Sequence, residues 1–140
     1  MNEARPPVWV LDTNVIVSGL LVPISFPGLL IDYAAAGRLV IAYNEAIRTE
    51  YFEVLARSRL GIDPDKAGAF TRSLSIAGYV ADAPAGSLDL PDPDDELFLA
   101  VALATQDRVL VTGNTRHFPV RLRRGVTVLT PREAVGRLRR

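Results

Sequence analysis

The sequence predicts a three-layer α/β/α sandwich with a mainly parallel central sheet, and three observations carry that expectation. Short Val- and Leu-rich segments lack the polar alternation of a half-exposed strand, as happens when both faces of a sheet are covered. Helical patterns with recognisable caps separate those segments. The 140 residues, 49% hydrophobic and 23% charged, suit one sizeable core rather than a disordered chain. Residues 1–140 are therefore read as a single domain.

The elements follow in order. VWVLD, Val8 to Asp12, reads as the first strand, and a short helix follows through Val15 to Leu21. Pro27 opens a helix that Gly37 can close. RLVIAY, from Arg38, reads as a second buried strand, and Asn44 can cap the helix EAIRTEYFEVLARSRL. Asp63 followed by Pro64 begins a helix expected to reach about Ala77, and YVADA reads as a short strand. Asp82 to Pro93 is a loop. The segment LPDPDDELFLAVALA, Leu90 to Ala104, carries Leu97, Val101 and Ala104 at helical spacing, so it must press on a core. RVLVT from Arg108 and VTVLT are further strands. TPREAVGRLRR closes the chain with a capping box: Thr130 at the cap, Pro131 at the first position, Glu133 three residues after the threonine.

Several classes are set aside by composition. The chain has no cysteine, so neither a disulfide scaffold nor a thiolate metal site is possible. The apolar run Val15 to Ile31 contains Pro23, Pro27 and Gly28, which argues against a membrane span or signal peptide. Net charge is zero but unevenly placed: residues 1–107 carry −8 and residues 108–140 carry +8, all nine cations of the latter being arginines. The arginine-rich end reads either as a solvated helix or as a face for phosphates or a partner.

The acids raise the functional question. Asp92, Asp94, Asp95 and Glu96 crowd the start of an apolar helix, where capping and the helix dipole account for one or two of them. In an open parallel sheet, ligands bind beyond the carboxyl ends of the strands. Asp12 ends the first strand there, Asn114 follows RVLVTG, and the acidic cluster follows a loop from the same rim. Glu50 lies beside the buried stripe of Ile47, Tyr51, Val54 and Leu55, while Glu53 should face water. Two carboxylates 4 Å apart repel by roughly 4 kcal/mol at an effective dielectric of 20. Either their pKa values rise or a cation sits between them, and oxygen-only ligands select a hard ion, Mg²⁺ or Mn²⁺.

VWVLDTNVIVSGLL, EYFEVLARSRL, DPDDELFLAVALA and VTGNTRHFP stand in the order and approximate spacing of the PIN-domain family. From Val8 to Leu129 the chain resembles that family, most of all its bacterial toxin-type members. The resemblance implies a metal-dependent endoribonuclease that hydrolyses RNA phosphodiester bonds, the toxin of a toxin–antitoxin pair. Asp12 matches the first family acid, Glu50 the second and Asp95 the third, and these three are the expected ligands of Mg²⁺ or Mn²⁺. Thr112 matches a hydroxyl residue often found near that site. The fourth acid is replaced by Asn114, which can orient a water or ligate through its amide oxygen but adds no charge; Asp92 or Asp94 could compensate. Asp12, Glu50, Asp95 and Asn114 form the expected catalytic set.

The resemblance further implies an RNA substrate and a small antitoxin partner, while the lack of cysteine suits a reducing cytoplasm and the broken apolar run predicts no membrane association. A homodimer is expected because so apolar a short chain leaves surface to cover. His117 reads as a loop residue ahead of Phe118 rather than a general base. Arg116, Arg121, Arg123 and Arg124 either touch phosphates or are simply exposed. Trp9, Tyr51, Phe52, Phe70 and Phe98 are expected in the core. Two rivals remain: a PIN-like binding module weakened through Asn114, and a phosphoryl-transfer domain, which Asn14 in place of a second Asp and the absence of a late lysine disfavour.

Overall fold

Residues 5–140 are described by a computed structural model. VWVL forms β1 (Val8–Leu11), and because both its faces are covered, Val10 and Leu11 lose all contact with solvent. Beside it lie β2 (Val40–Ile41), β3 (Val109–Val111) and β4 (Thr127–Leu129), all parallel, in the order β2-β1-β3-β4. The register pairs Val8 with Val40, Leu11 with Val111, and Val111 with Leu129. Chain order reverses between β1 and β3. Their carboxyl ends therefore diverge into separate loops and leave a crevice, the usual ligand position in such sheets.

Six α-helices accompany the described strands: α1 (Thr13–Leu21), α2 (Phe26–Ala35), α3 (Glu45–Leu55), α4 (Pro64–Ser73), α5 (Glu96–Ala104) and α6 (Pro131–Leu138). The α/β architecture with a parallel sheet is the one expected. Its caps are set by local sequence. Asn44 Oδ1 accepts from the Ile47 amide at 3.0 Å, and Asp63 Oδ1 from that of Asp65 at 2.9 Å. The Thr130–Glu133 box closes in both directions, at 2.9 and 3.1 Å. Ser25, for which the sequence predicts no role, caps α2 through the Gly28 amide at 3.0 Å. Gly28 packs against the turn between α1 and α2, where a Cβ would stand 2.0 Å from the Pro23 carbonyl oxygen, and Gly19 is where the helices themselves approach, a Cβ there standing 2.9 Å from the Pro27 backbone. The two helices meet at a 95° bend, and no single described helix is long and apolar enough to cross a membrane.

Several expectations need correction. The helix from Pro64 stops at Ser73 rather than Ala77, because Leu74 is extended and the Ser75 hydroxyl caps a separate 3₁₀ turn through the Ala77 amide. The helix after Asn44 ends at Leu55, and Ser58–Leu60 forms its own 3₁₀ turn. YVADA supplies one bridge, Tyr43 to Tyr79, and no strand. Phe52 is 65% exposed, because it falls one position past the buried Tyr51 on α3. Ala104 is exposed while Phe98, Leu99, Ala100, Val101 and Ala102 are buried, so α5 is covered on more than one face rather than along a single stripe. Trp9, Tyr51, Phe70 and Phe98 are in the core as expected.

Candidate active site

The site begins with Asp12, the residue after β1, whose amide donates to the Val111 carbonyl at 2.8 Å and so continues the parallel ladder. That bond carries Asp12 into the crevice between β1 and β3. The residue is 6% exposed, and burial raises its carboxyl pKa above the usual value. The main opposing influence is Thr112 at the end of β3, wholly buried, whose hydroxyl donates to Asp12 Oδ2 at 2.8 Å. The charge of Asp95 pushes Asp12 further upward, so the two acids, 83 positions apart in sequence, face one another electrostatically across the crevice.

The crowding at Asp92–Glu96 resolves into separate tasks. Asp92 Oδ1 accepts from the Asp94 amide at 2.9 Å and caps the 3₁₀ turn Pro93–Asp95. Glu96 turns back and accepts from the Leu88 and Leu90 amides, each at 3.0 Å, pinning the preceding loop. Asp94 is exposed. Only Asp95 is turned toward the crevice, its side chain 13% exposed. Its pKa is raised by burial and by Asp92 and Asp94, and held down in part by His117. Asp95 Oδ2 is buried, and His117 Nδ1 stands 3.0 Å from it, an ion pair when the imidazole is protonated.

His117 therefore belongs to the site, contrary to its expected place in a plain loop. Its Nε2 lies 2.8 Å from Asn114 Nδ2. With the Asn114 amide donating, Nε2 accepts and the ring proton sits on Nδ1, on the Asp95 side. The spacing itself carries the signal: Asn114 and His117 bracket one 3₁₀ turn, Thr115–His117, which brings residues three apart together. Asn114 itself is exposed, and its amide donates to the Thr112 hydroxyl at 3.1 Å.

Glu50 comes from the middle of α3. Its Oε2 accepts from Thr13 Oγ1 at 3.4 Å, and its charge is felt by the buried Tyr51 hydroxyl, whose pKa is raised well above normal by burial first, then by Asp12 and Glu50. Tyr51 donates to the Leu11 carbonyl and ties α3 to the end of β1. From sequence alone, Tyr51 has only a packing role. Glu53 is exposed, as expected. Asn14, on the first turn of α1, accepts from the Gly113 amide at 3.1 Å and thereby clamps the β1 and β3 loops together.

Residues 8–116 match the family model described as a PIN domain. The chain belongs to the PIN-domain family. No curated protein and no solved structure matches it. PIN domains are generally nucleases, typically using divalent metals, and all four positions expected from the family pattern, Asp12, Glu50, Asp95 and Asn114, lie within the matched span. In this PIN domain the donor chemistry fits a hard cation: Asp12 is a buried oxygen donor, and the partly buried Asp95 turns its Oδ2 inward beside His117 Nδ1. Among the described residues, however, no three Asp, Glu or His side chains converge closely enough to hold an ion between them. Glu50 Oε2 instead meets the hydroxyl of Thr13, the residue next to Asp12.

The arginines divide likewise. Arg123 Nε donates to the Phe118 carbonyl at 2.7 Å, and Arg124 pairs with Asp89 at 3.8 Å, so both have structural partners. Arg116 and Arg121 are exposed.

Proposed function

We propose that this PIN domain is a Mg²⁺- or Mn²⁺-dependent endoribonuclease acting as the toxin of a toxin–antitoxin pair. The reading rests on one observation above the others: two acids from distant segments, Asp12 and Asp95, come within electrostatic reach of each other at the switch point of the sheet, and Asp95 turns a buried oxygen inward with His117 Nδ1 beside it. Asp12 and Asp95 would hold the ion directly, Glu50 through a water, with further waters completing the shell as Mg²⁺ commonly allows. The ion, when bound, would polarise a water and neutralise charge on the scissile phosphate.

The chain's own residues do the positioning. Thr112 fixes the rotamer of Asp12. His117, held by Asn114, stands against Asp95, and the Asn14–Gly113 bond ties the two loops together. Hydrolysis forms a bond from the water oxygen to phosphorus and breaks the bond to the ribose oxygen, so the proton released must find an acceptor. Glu50 is the carboxylate left free of direct ligation for that task.

A second reading keeps the fold but not the activity, and Asn114 favours it: the side chain that should complete the acidic set is neutral and faces His117. One experiment separates them. Thermal unfolding with and without Mn²⁺, together with cleavage of a mixed RNA pool, is compared for wild type and Asp12→Asn. Mn²⁺-dependent stabilisation and cleavage, both lost in Asp12→Asn, support the nuclease; a wild type indifferent to Mn²⁺ and inert on RNA sinks it. The same proposal carries a small antitoxin that covers the acidic rim with a basic side chain, a cytoplasmic setting, one domain spanning residues 1–140, and a homodimer. Light scattering that finds a monomer at all concentrations would remove the dimer.

A further inference from the structure

The side chain held against Asp95 is an imidazole and not a carboxylate: His117 Nδ1 stands 3.0 Å from Asp95 Oδ2. The Asp95 side chain is 13% exposed and that of His117 46%, so the carboxylate oxygen lies inward and the ring sits at the open side. We propose that His117 is itself a ligand of the divalent ion, sharing it with Asp95, and that this nitrogen donor makes the centre prefer Mn²⁺ to Mg²⁺. The proposal rests on the metal-dependent reading above and chooses between the two ions which that reading leaves open.

Distance is the first argument. Two ligands in neighbouring positions of an octahedral shell, each about 2.1 Å from the ion, stand about 3.0 Å apart. That is the separation of His117 Nδ1 and Asp95 Oδ2, so the pair already has the spacing of two neighbours on one ion. Among the described residues no third Asp, Glu or His joins them closely. Asp12, within electrostatic reach of Asp95, and water would supply the remaining donors.

The second argument is the tautomer. Nδ1 binds a metal only without its proton, which in a neutral ring must then sit on Nε2. Nε2 lies 2.8 Å from Asn114 Nδ2, and an amide turned over about its Cβ–Cγ bond presents Oδ1 there instead. Asn114 thereby serves both states of the ring. It donates to Nε2 when Nδ1 carries the proton toward Asp95, and accepts from Nε2 when Nδ1 carries the metal. The backbone keeps the two residues in register, because the His117 amide donates to the Asn114 carbonyl at 3.1 Å while the Asn114 amide donates to Thr112, the partner of Asp12. The amide that stands where the family has its fourth acid is thus the positioning residue of a histidine ligand.

Donor chemistry is the third. Mg²⁺ takes oxygen ligands and gives up its waters reluctantly, whereas imidazole suits first-row transition ions. Of those ions, Mn²⁺ is the one that carboxylates and water also suit. One nitrogen among oxygens therefore moves the preference from Mg²⁺ to Mn²⁺.

The test uses the full chain without a histidine tag, because His117 is the only histidine in the sequence. Any imidazole nitrogen coupled to a bound ion must then be its own. Pulsed electron paramagnetic resonance of the Mn²⁺-loaded protein should show hyperfine coupling to an imidazole nitrogen, altered in wild type grown on ¹⁵N-labelled histidine and lost in His117→Gln. In thermal-shift titrations, His117→Gln should raise Kd for Mn²⁺ about tenfold or more and Kd for Mg²⁺ less than about twofold, so the preference for Mn²⁺ shrinks. Asn114→Ala should keep the nitrogen coupling while raising Kd for Mn²⁺ about tenfold, as befits a residue acting through the ligand. Bound Mn²⁺ without imidazole coupling overturns the proposal and leaves the metal-dependent reading standing. Equal losses for both ions in His117→Gln do the same. A wild type that binds no Mn²⁺ overturns both. The isotope experiment needs no variant, so a substitution that fails to fold cannot shelter the proposal.

Discussion

Replacing Thr112 by valine removes a hydroxyl from a wholly buried position while keeping the shape of the side chain. Two hydrogen bonds are lost: the one donated to Asp12 Oδ2 at 2.8 Å and the one accepted from the Asn114 amide at 3.1 Å. A hydrogen bond to a charged group contributes about 1.5–3 kcal/mol, and water can replace the hydroxyl at the exposed Asn114, so Thr112→Val should cost about 2–3 kcal/mol at neutral pH. At about 2.1 cal/mol/K of unfolding entropy per residue, a 140-residue chain loses roughly 3.4 °C per kcal/mol, so Tm should drop by about 7 to 10 °C. The sign of the pH dependence follows from Asp12. Thr112 lowers its pKa by favouring the carboxylate, so the gap between wild type and variant is full above the titration of Asp12 and narrows as pH falls through it. Urea unfolding at neutral and mildly acidic pH measures both, with Thr112→Ser as the control that keeps the hydroxyl. A gap below about 0.5 kcal/mol at neutral pH, or a serine variant as damaged as the valine, would show that this hydroxyl does not compensate the buried carboxylate.

Other perturbations test the remaining parts. Asn114→Asp adds a carboxylate beside His117, the partner of Asp95, so metal-free stability should fall and Mn²⁺-dependent stabilisation should rise, on the scale of about 2.7 kcal/mol at a hundred times Kd; thermal unfolding with and without Mn²⁺ reads both. In the metal-free wild type, burial raises the pKa values of Asp12 and Asp95, with repulsion from Asp95 adding to the first and from Asp92 and Asp94 to the second, so the native state keeps protons that the unfolded chain has released. Its stability should therefore decline as pH rises from the ordinary Asp value of 3.8 through the raised ones, then level off, in a urea series across that range. Glu96→Ala frees the Leu88 and Leu90 amides at a cost of about 2 kcal/mol, and limited proteolysis should cut residues 82–95 faster than in wild type. Gly28→Ala forces a Cβ against the Pro23 carbonyl, which backbone cannot yield cheaply, so a loss of about 3 kcal/mol in chemical denaturation is expected.

Much of the fold is legible in the sequence alone. Caps at Asn44, Asp63 and Thr130 are readable because a cap is a contact between residues two or three apart, and local sequence holds both partners. The buried strands are readable because a covered sheet leaves no polar alternation. Boundaries are less so, since Ser75 and the edge position of β2 shorten elements through contacts a propensity cannot see.

The candidate site divides along the same line. Asp12, Asp95 and Asn114 can be placed on one rim because parallel strand order alone sends their loops to the carboxyl edge. Four neighbouring acids look alike as letters, and only the tertiary structure separates them, with Asp92 spent on a cap, Glu96 on the Leu88 and Leu90 amides, Asp94 on solvent and Asp95 left facing Asp12. The same holds for His117, brought to Asp95 from 22 positions away, and for Glu50, drawn to Thr13. Sequence determines which groups are present and what the local backbone demands of them. Which carboxylate turns a buried oxygen into the crevice depends on contacts between distant segments, and those contacts exist only once the chain has closed its core.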